Sequence, residues 1–215
     1  MEQGRDRGVR GAQAAEGDSP PVNRGRKLGR WGTTDIWVWQ GDITAAGTEA
    51  IVNAANNQGW LGSGVAGAIR RAAGDQVEAE AVAQGPWPVG DAVRTGPGRL
   101  ADRGVKAILH AAAMAPGRPA RADAVGTATA AALRLAAAEG LTSVALPALG
   151  TGVGGVGLEA AAAAMGAAVR DHADRPTPVT TVVFALYDQA ALERFGGALE
   201  RELGRDGGRI KDVSG

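Results

Sequence analysis

The sequence predicts an α/β fold, a largely parallel sheet covered by helices on both faces. Three observations lead there. Runs of strand character alternate with helical runs between residues 34 and 203, and helices of that length between strands are the crossovers a parallel sheet requires. At 215 residues and 45% hydrophobic content, the chain suffices for one domain with a full core and is short for two. Glycines and amides gather where strand runs end, the edge at which such sheets bind ligands.

Residues 1–30 mix Gly, Arg and Pro without hydrophobic periodicity, so they bury too little surface to offset their ordering entropy and read as a flexible tail. The domain is expected over 31–203, with a second flexible tail over 204–215. TDIWVWQ (34–40) and AIVNAA (50–55) read as strands, followed by helices VAGAIRRAAG (65–74) and DQVEAEAVAQ (75–84). DAVRTG (91–96) and KAILHAA (106–112) are strands, and residues 122–140 form a long helix closed by Gly140. Next come strand SVALPAL (143–149), helix 158–173, strand TTVVFALYD (180–188) and helix 190–203.

Composition narrows the function. With 23 basic and 23 acidic residues, no global field points to nucleic acid or an anionic membrane, so an anionic ligand must be held by local geometry. Cysteine is absent, which removes disulfides, thiol nucleophiles and thiolate metal sites together, and fits a reducing cytoplasm, the expected location. His110 and His172 are the only histidines, and neither has metal-ligand spacing to other donors; His110, inside an apolar strand run, reads as a core or rim position. No metal and no cofactor is called for. The chain lacks an apolar span long enough to cross a bilayer, and a monomer is expected.

The candidate site comes from the strand exits. Gly62-Ser63-Gly64-Val65 precedes one helix, and Gly150-Thr151-Gly152-Val153-Gly154 precedes another. Each brings residues with little or no side chain to a helix N-terminus, where main-chain N–H groups can approach a ligand closely. Two such loops on one face suit a diphosphate. Both match GxGxxG, a weak pattern in a chain with 34 glycines. A dinucleotide fold would need the first glycine directly after the strand and an acidic residue about 20 positions on, ending the next strand. The first loop starts too late, and the second meets Arg170-Asp171 inside a helix. Asp42, after the first strand, can accept from an exocyclic amine or simply cap a turn. Asn53 and Asn56 can bind ribose hydroxyls or only shape the loop. Tyr187, the one tyrosine, closes the last strand as a base-stacking ring or as a plug against the last helix.

GDIT (41–44), AIVNAAN (50–56), GSGVAGAIRRAAG (62–74), AILHA (107–111), PALGTGVGG (147–155) and VVFALYD (182–188) occur in the order seen in macrodomains, the ADP-ribose-binding modules, and over residues 34–200 the chain resembles them. The resemblance implies a three-layer α/β/α sandwich around a mixed, largely parallel six-stranded sheet, with a cleft for ADP-ribose, free or attached to a protein. It assigns Asp42 to the adenine amine with Ile43 beside it through its backbone, Asn53 and Asn56 to the asparagine pair, the second at the distal ribose, both glycine loops to the diphosphate, and Tyr187 to adenine stacking. Two departures matter. The hydrolytic branch carries an aspartate where this chain has Ala66, and the family's second loop usually carries an aromatic lid where this chain has Gly154 and Val156. Binding is therefore expected, and hydrolysis of an ADP-ribosyl or O-acetyl-ADP-ribose bond, with Asn56 and the ligand's own phosphate holding the water, is the alternative.

Overall fold

The computed structural model describes residues 25–204. It contains β1 (Arg26–Trp31), β2 (Thr34–Gln40), β3 (Ala50–Asn56), α1 (Gly64–Ala73), α2 (Gln76–Gln84), β4 (Ala92–Thr95), β5 (Ala107–Met114), α3 (Ala122–Ala138), β6 (Ser143–Pro147), α4 (Leu158–Ala173), β7 (Thr181–Leu186) and α5 (Gln189–Leu203). The strands form one sheet in the order β1-β2-β7-β6-β3-β5-β4. Pairings among β2, β7, β6, β3 and β5 are parallel, while β1 on β2 and β4 on β5 are antiparallel. The sheet is mixed and largely parallel, as predicted, with seven strands in place of six.

The seventh strand is β1, and it moves the domain boundary: residues 26–30, assigned to the tail, are strand. Residues 1–24 and 205–215 of the two expected tails lie outside the described residues. β1 shows no alternating hydrophobic signal because it is an edge strand whose one buried side chain is Leu28. Charge ties it down instead. Lys27 and Arg30 both reach Asp35 on β2, at 3.0 and 2.5 Å, and the Arg30 hydrogen bond holds the Asp35 carboxyl below the ordinary aspartate range.

Successive strand residues point to opposite faces, and the two cores follow that parity. On β7, Val182, Phe184 and Leu186 join the apolar layer shared with α3, α4 and α5, whereas Val183 and Ala185 join the layer under α1 and α2. The Phe184 and Phe195 rings, 5.3 Å apart, fix α5 to the sheet in a tilted aromatic pair. Three layers result, and the five parallel strands all end at the same edge. Among the described residues, no helix is long and apolar enough to cross a membrane.

Candidate functional site

The loop after β3 is shaped by its own amides. Asn56 Oδ1 accepts from Gln58 N at 3.0 Å and Asn56 Nδ2 donates to the Trp60 carbonyl at 3.3 Å. Leu61 N donates to Glu78 Oε1 at 2.8 Å, and Glu78 Oε2 accepts from Arg70 Nη1 at 2.9 Å, so α2 and α1 together hold the approach to the first glycines. Gly64 opens α1 at φ +59°, a conformation that a side chain would strain. Ser63 stands at the N-cap without a side-chain capping bond. The first N–H groups of an α-helix lack intrahelical acceptors and carry its positive pole, worth about 0.3–1 kcal/mol to an anion.

The loop after β6 is braced by backbone. Val156 N donates to the Gly150 carbonyl at 3.0 Å, Gly155 N to that of Gly152 at 3.1 Å, and Ala120 N to that of Gly154 at 2.9 Å. Thr151 Oγ1 donates to the Ala148 carbonyl at 2.9 Å. A Cβ on Gly154 would lie 2.6 Å from the Gly150 oxygen, so glycine is required by close approach.

These loops meet in one cleft of about 480 Å³ at the carboxyl edge of the sheet. Ser63, Gly64 and Val65 line it opposite Gly150, Thr151, Gly152, Val153 and Gly154, and Tyr187 joins them from the end of β7. Tyr187 is 91% exposed, so its ring is a free face and not a plug against α5. Among the described residues, no lysine or arginine lines the cleft and its one charged side chain is Asp188, which also caps α5 by accepting from Ala191 N at 2.7 Å. Ala66 is in the wall, with no carboxylate to offer.

The remaining predicted residues are placed elsewhere. Gly62 is exposed beside Ser63 without lining the cleft. Asp42 caps a 3₁₀ turn at Ile43–Ala45, its Oδ1 accepting from Thr44 N at 2.9 Å, and the Ile43 side chain is buried in the core layer under α1. Neither lines the cleft, and nor does Asn56. Asn53 shares the parity of Ile51, is 0% exposed and does not line the cleft. Asn53 Nδ2 lies 3.1 Å from His110 Nδ1, and His110 Nε2 lies 2.9 Å from Thr95 Oγ1. With the amide donating to Nδ1, the ring is neutral and carries its proton on Nε2. Burial pushes the His110 pKa down to about 4, in keeping with that form. This buried chain ties β3 to β5 and β4 directly below the site.

Sequence reasoning missed Asp188, along with Ala113, Met114, Pro147, Ala148 and Leu158 in the cleft wall. For Asp188 a signal existed: an aspartate between a strand and a helix is an N-cap, and its neighbour Tyr187 was already at the exit. The others are apolar and carry no pattern beyond their place at strand ends or helix starts.

Comparison with known proteins agrees with this geometry. The family model described as Macro domain matches residues 52–165. An uncharacterized protein of Aquifex aeolicus is 42% identical over 171 residues, covering 79% of this chain and 98% of that one. A protein of Citrobacter rodentium named O-acetyl-ADP-ribose deacetylase is 37% identical over 173 residues, covering 80% of this chain and 94% of that one. The chain spans 45% of the length of a Mycobacterium tuberculosis relative. Among solved structures, the Trypanosoma brucei macrodomain in complex with ADP-ribose superposes with a TM-score of 0.70 at 25% identity, covering 85% of this chain and 76% of that one.

Proposed function

Since the chain belongs to the Macro domain family, we propose that it binds ADP-ribose, free or as an ADP-ribosyl group on a protein, in the cleft at the carboxyl edge of its sheet. The observation that carries this is the meeting of two glycine loops, from β3 and β6, in one cleft that holds no lysine or arginine among the described residues. Main-chain N–H groups of Gly64, Val65 and the Gly150–Gly154 segment hold the diphosphate. Preorganised amides do so without the desolvation cost of burying cationic side chains. The exposed Tyr187 ring stacks on adenine, a contact worth about 1–3 kcal/mol by analogy with base-stacking platforms. Asp42 and the Ile43 backbone receive the adenine amine where the base leaves the cleft, Gly62 and Asn56 border the distal ribose, and Asn53 acts from below by fixing β3. The trypanosomal neighbour, solved with ADP-ribose, supports the choice of ligand.

A second reading, hydrolysis of an ADP-ribosyl or O-acetyl ester bond, is favoured by the name of the Citrobacter relative. Against it stand Ala66, 6% exposed in the wall, and the Asn56 amide, held by Gln58 and Trp60. General acids and bases contribute about 10²- to 10⁴-fold, so a site lacking one turns over slowly. Calorimetric titration with ADP-ribose, AMP and NAD, run beside a turnover assay on O-acetyl-ADP-ribose and a mono-ADP-ribosylated protein, separates the two. Tight ADP-ribose binding with weaker AMP and negligible turnover is the expected result. Rapid turnover would establish the hydrolase, and equal affinity for AMP would remove the diphosphate cradle.

A further inference from the structure

At the other end of the sheet a second cavity of about 350 Å³ opens between the C-terminal halves of α3 and α4. Its lining combines Ala130, Ala137 and Ala168 with three basic side chains: Arg134 from α3, His172 from the last turn of α4, and Arg175 from the link to β7. α4 runs from Leu158, in the wall of the first cleft, to Ala173, so the two cavities are separated by roughly 20 Å of helix.

Arginine or histidine near a helix C-terminus is ordinarily explained by the negative pole there. That explains single cations on α3 and α4 but not their convergence on one cavity. Among the described residues, neither Arg134 nor Arg175 has an ion pair or a side-chain hydrogen bond. The carboxylate in the lining, Asp171, faces Arg170 at 4.0 Å. His172 is half-buried, with Nε2 2.8 Å from Thr177 Oγ1, and that hydroxyl also accepts from Val179 N at 3.2 Å. Burial first, and then the nearby Arg175 and Arg134 guanidiniums, hold His172 below its ordinary pKa. Two guanidiniums and the His172 ring border a partly apolar floor, and the one carboxylate in the lining, Asp171, faces Arg170, an arrangement that an anion relieves.

We propose that this cavity is a second ligand site, for a phosphomonoester whose phosphate is clasped by Arg134 and Arg175 beside His172 and whose small organic body rests on the alanines. Guanidinium forks match phosphate oxygens in pairs, which the first cleft, built of peptide nitrogens, does not require. The two sites share no residue, so the fate of one does not decide the other.

The test follows the His172 ring resonances of the full chain by NMR, with ADP-ribose saturating the first cleft, during titration with inorganic phosphate and with AMP. Both probes shift the resonances saturably, and a bound dianion raises the His172 pKa because it offsets the two guanidiniums. Arg134→Gln and Arg175→Gln each weaken binding roughly tenfold and leave ADP-ribose affinity unchanged, which also shows that these exposed positions tolerate the change. AMP binding tighter than phosphate assigns a role to the alanines. The site is refuted if chloride at equal ionic strength produces the same shifts, if neither probe saturates, or if binding survives in the double variant.

Discussion

The two glycine loops are near copies in sequence and are held in different ways. After β6 the brace is backbone: carbonyls of Gly150, Gly152 and Gly154 accept from Val156, Gly155 and Ala120. After β3 side chains share the work with backbone bonds such as Gly59 N to the Asn56 carbonyl, the Asn56 amide and the Glu78 carboxylate folding residues 57–61 into place. A loop braced mainly by backbone is altered chiefly by forcing atoms into it. A side-chain-braced loop is altered by removing the brace, and binding can then weaken with no clash anywhere.

Gly154→Val tests the first half of that contrast and has the largest expected effect. Its Cβ would meet the Gly150 oxygen at 2.6 Å and the Ala120 Cβ at 2.7 Å. Overpacking of this kind costs about 1–3 kcal/mol, so the thermal midpoint drops and ADP-ribose binding disappears with it. Gly152→Val separates the two consequences. A Cβ there meets nothing within 4 Å, so the melting midpoint stays at the wild-type value while the valine blocks the ligand's approach to the loop nitrogens. Wild-type calorimetric affinity in a folded Gly152→Val protein would mean that this loop is not a cradle. Gly64→Val is a poorer probe, because φ +59° adds backbone strain to any loss of binding.

Acid should act on the support beneath the β3 loop. The His110 pKa of about 4 lies below its ordinary 6.5, so between those values the unfolded state binds the proton and the folded state does not. The stability contribution of neutral His110 is complete above about 6.5 and is lost as the pH falls toward 4, on the order of 3 kcal/mol in all. Urea denaturation across that window should show the slope, and His110→Gln should flatten it.

Tyr187→Ala leaves both loops intact and removes only the base platform. ADP-ribose binding should weaken by about 1–3 kcal/mol, with ribose-5-phosphate affinity nearly unchanged. Glu78→Gln has the smallest effect. The new amide oxygen still accepts from Leu61 N, while the ion pair to Arg70, 42% exposed, contributes at most about 1 kcal/mol. A several-fold loss of affinity at unchanged thermal midpoint would mark Glu78 as a positioning residue for the β3 loop; a larger loss would place the brace closer to the ligand.

Most of the fold was legible because buried parallel strands and amphipathic helices write their period into the chain. β1 was not, since an edge strand with one buried leucine has no period to read. The glycine loops were legible for the opposite reason: stripped of side chains at strand exits, they had few purposes other than exposing backbone. The burial of Asn53 could have been read from parity. Asn53 lies two residues after Ile51 on the same strand face, and a residue in phase with a core isoleucine belongs to the core. Asp42 and Asn56 show the limit of motif reading, because both make the local bonds that their residue types make in any turn. The second cavity was invisible in sequence, since Arg134 and Arg175 are 41 positions apart and meet only through the packing of α3 on α4.

The most direct measurement is a backbone amide ¹H–¹⁵N spectrum titrated with ADP-ribose and, in parallel, with adenosine. Peptide nitrogens that grip a diphosphate give their largest shifts at Gly64, Val65, Gly152 and Val153 with ADP-ribose, and little movement there with adenosine. Equal shifts for both ligands, or shifts from ADP-ribose confined to residues outside the two loops, would contradict it.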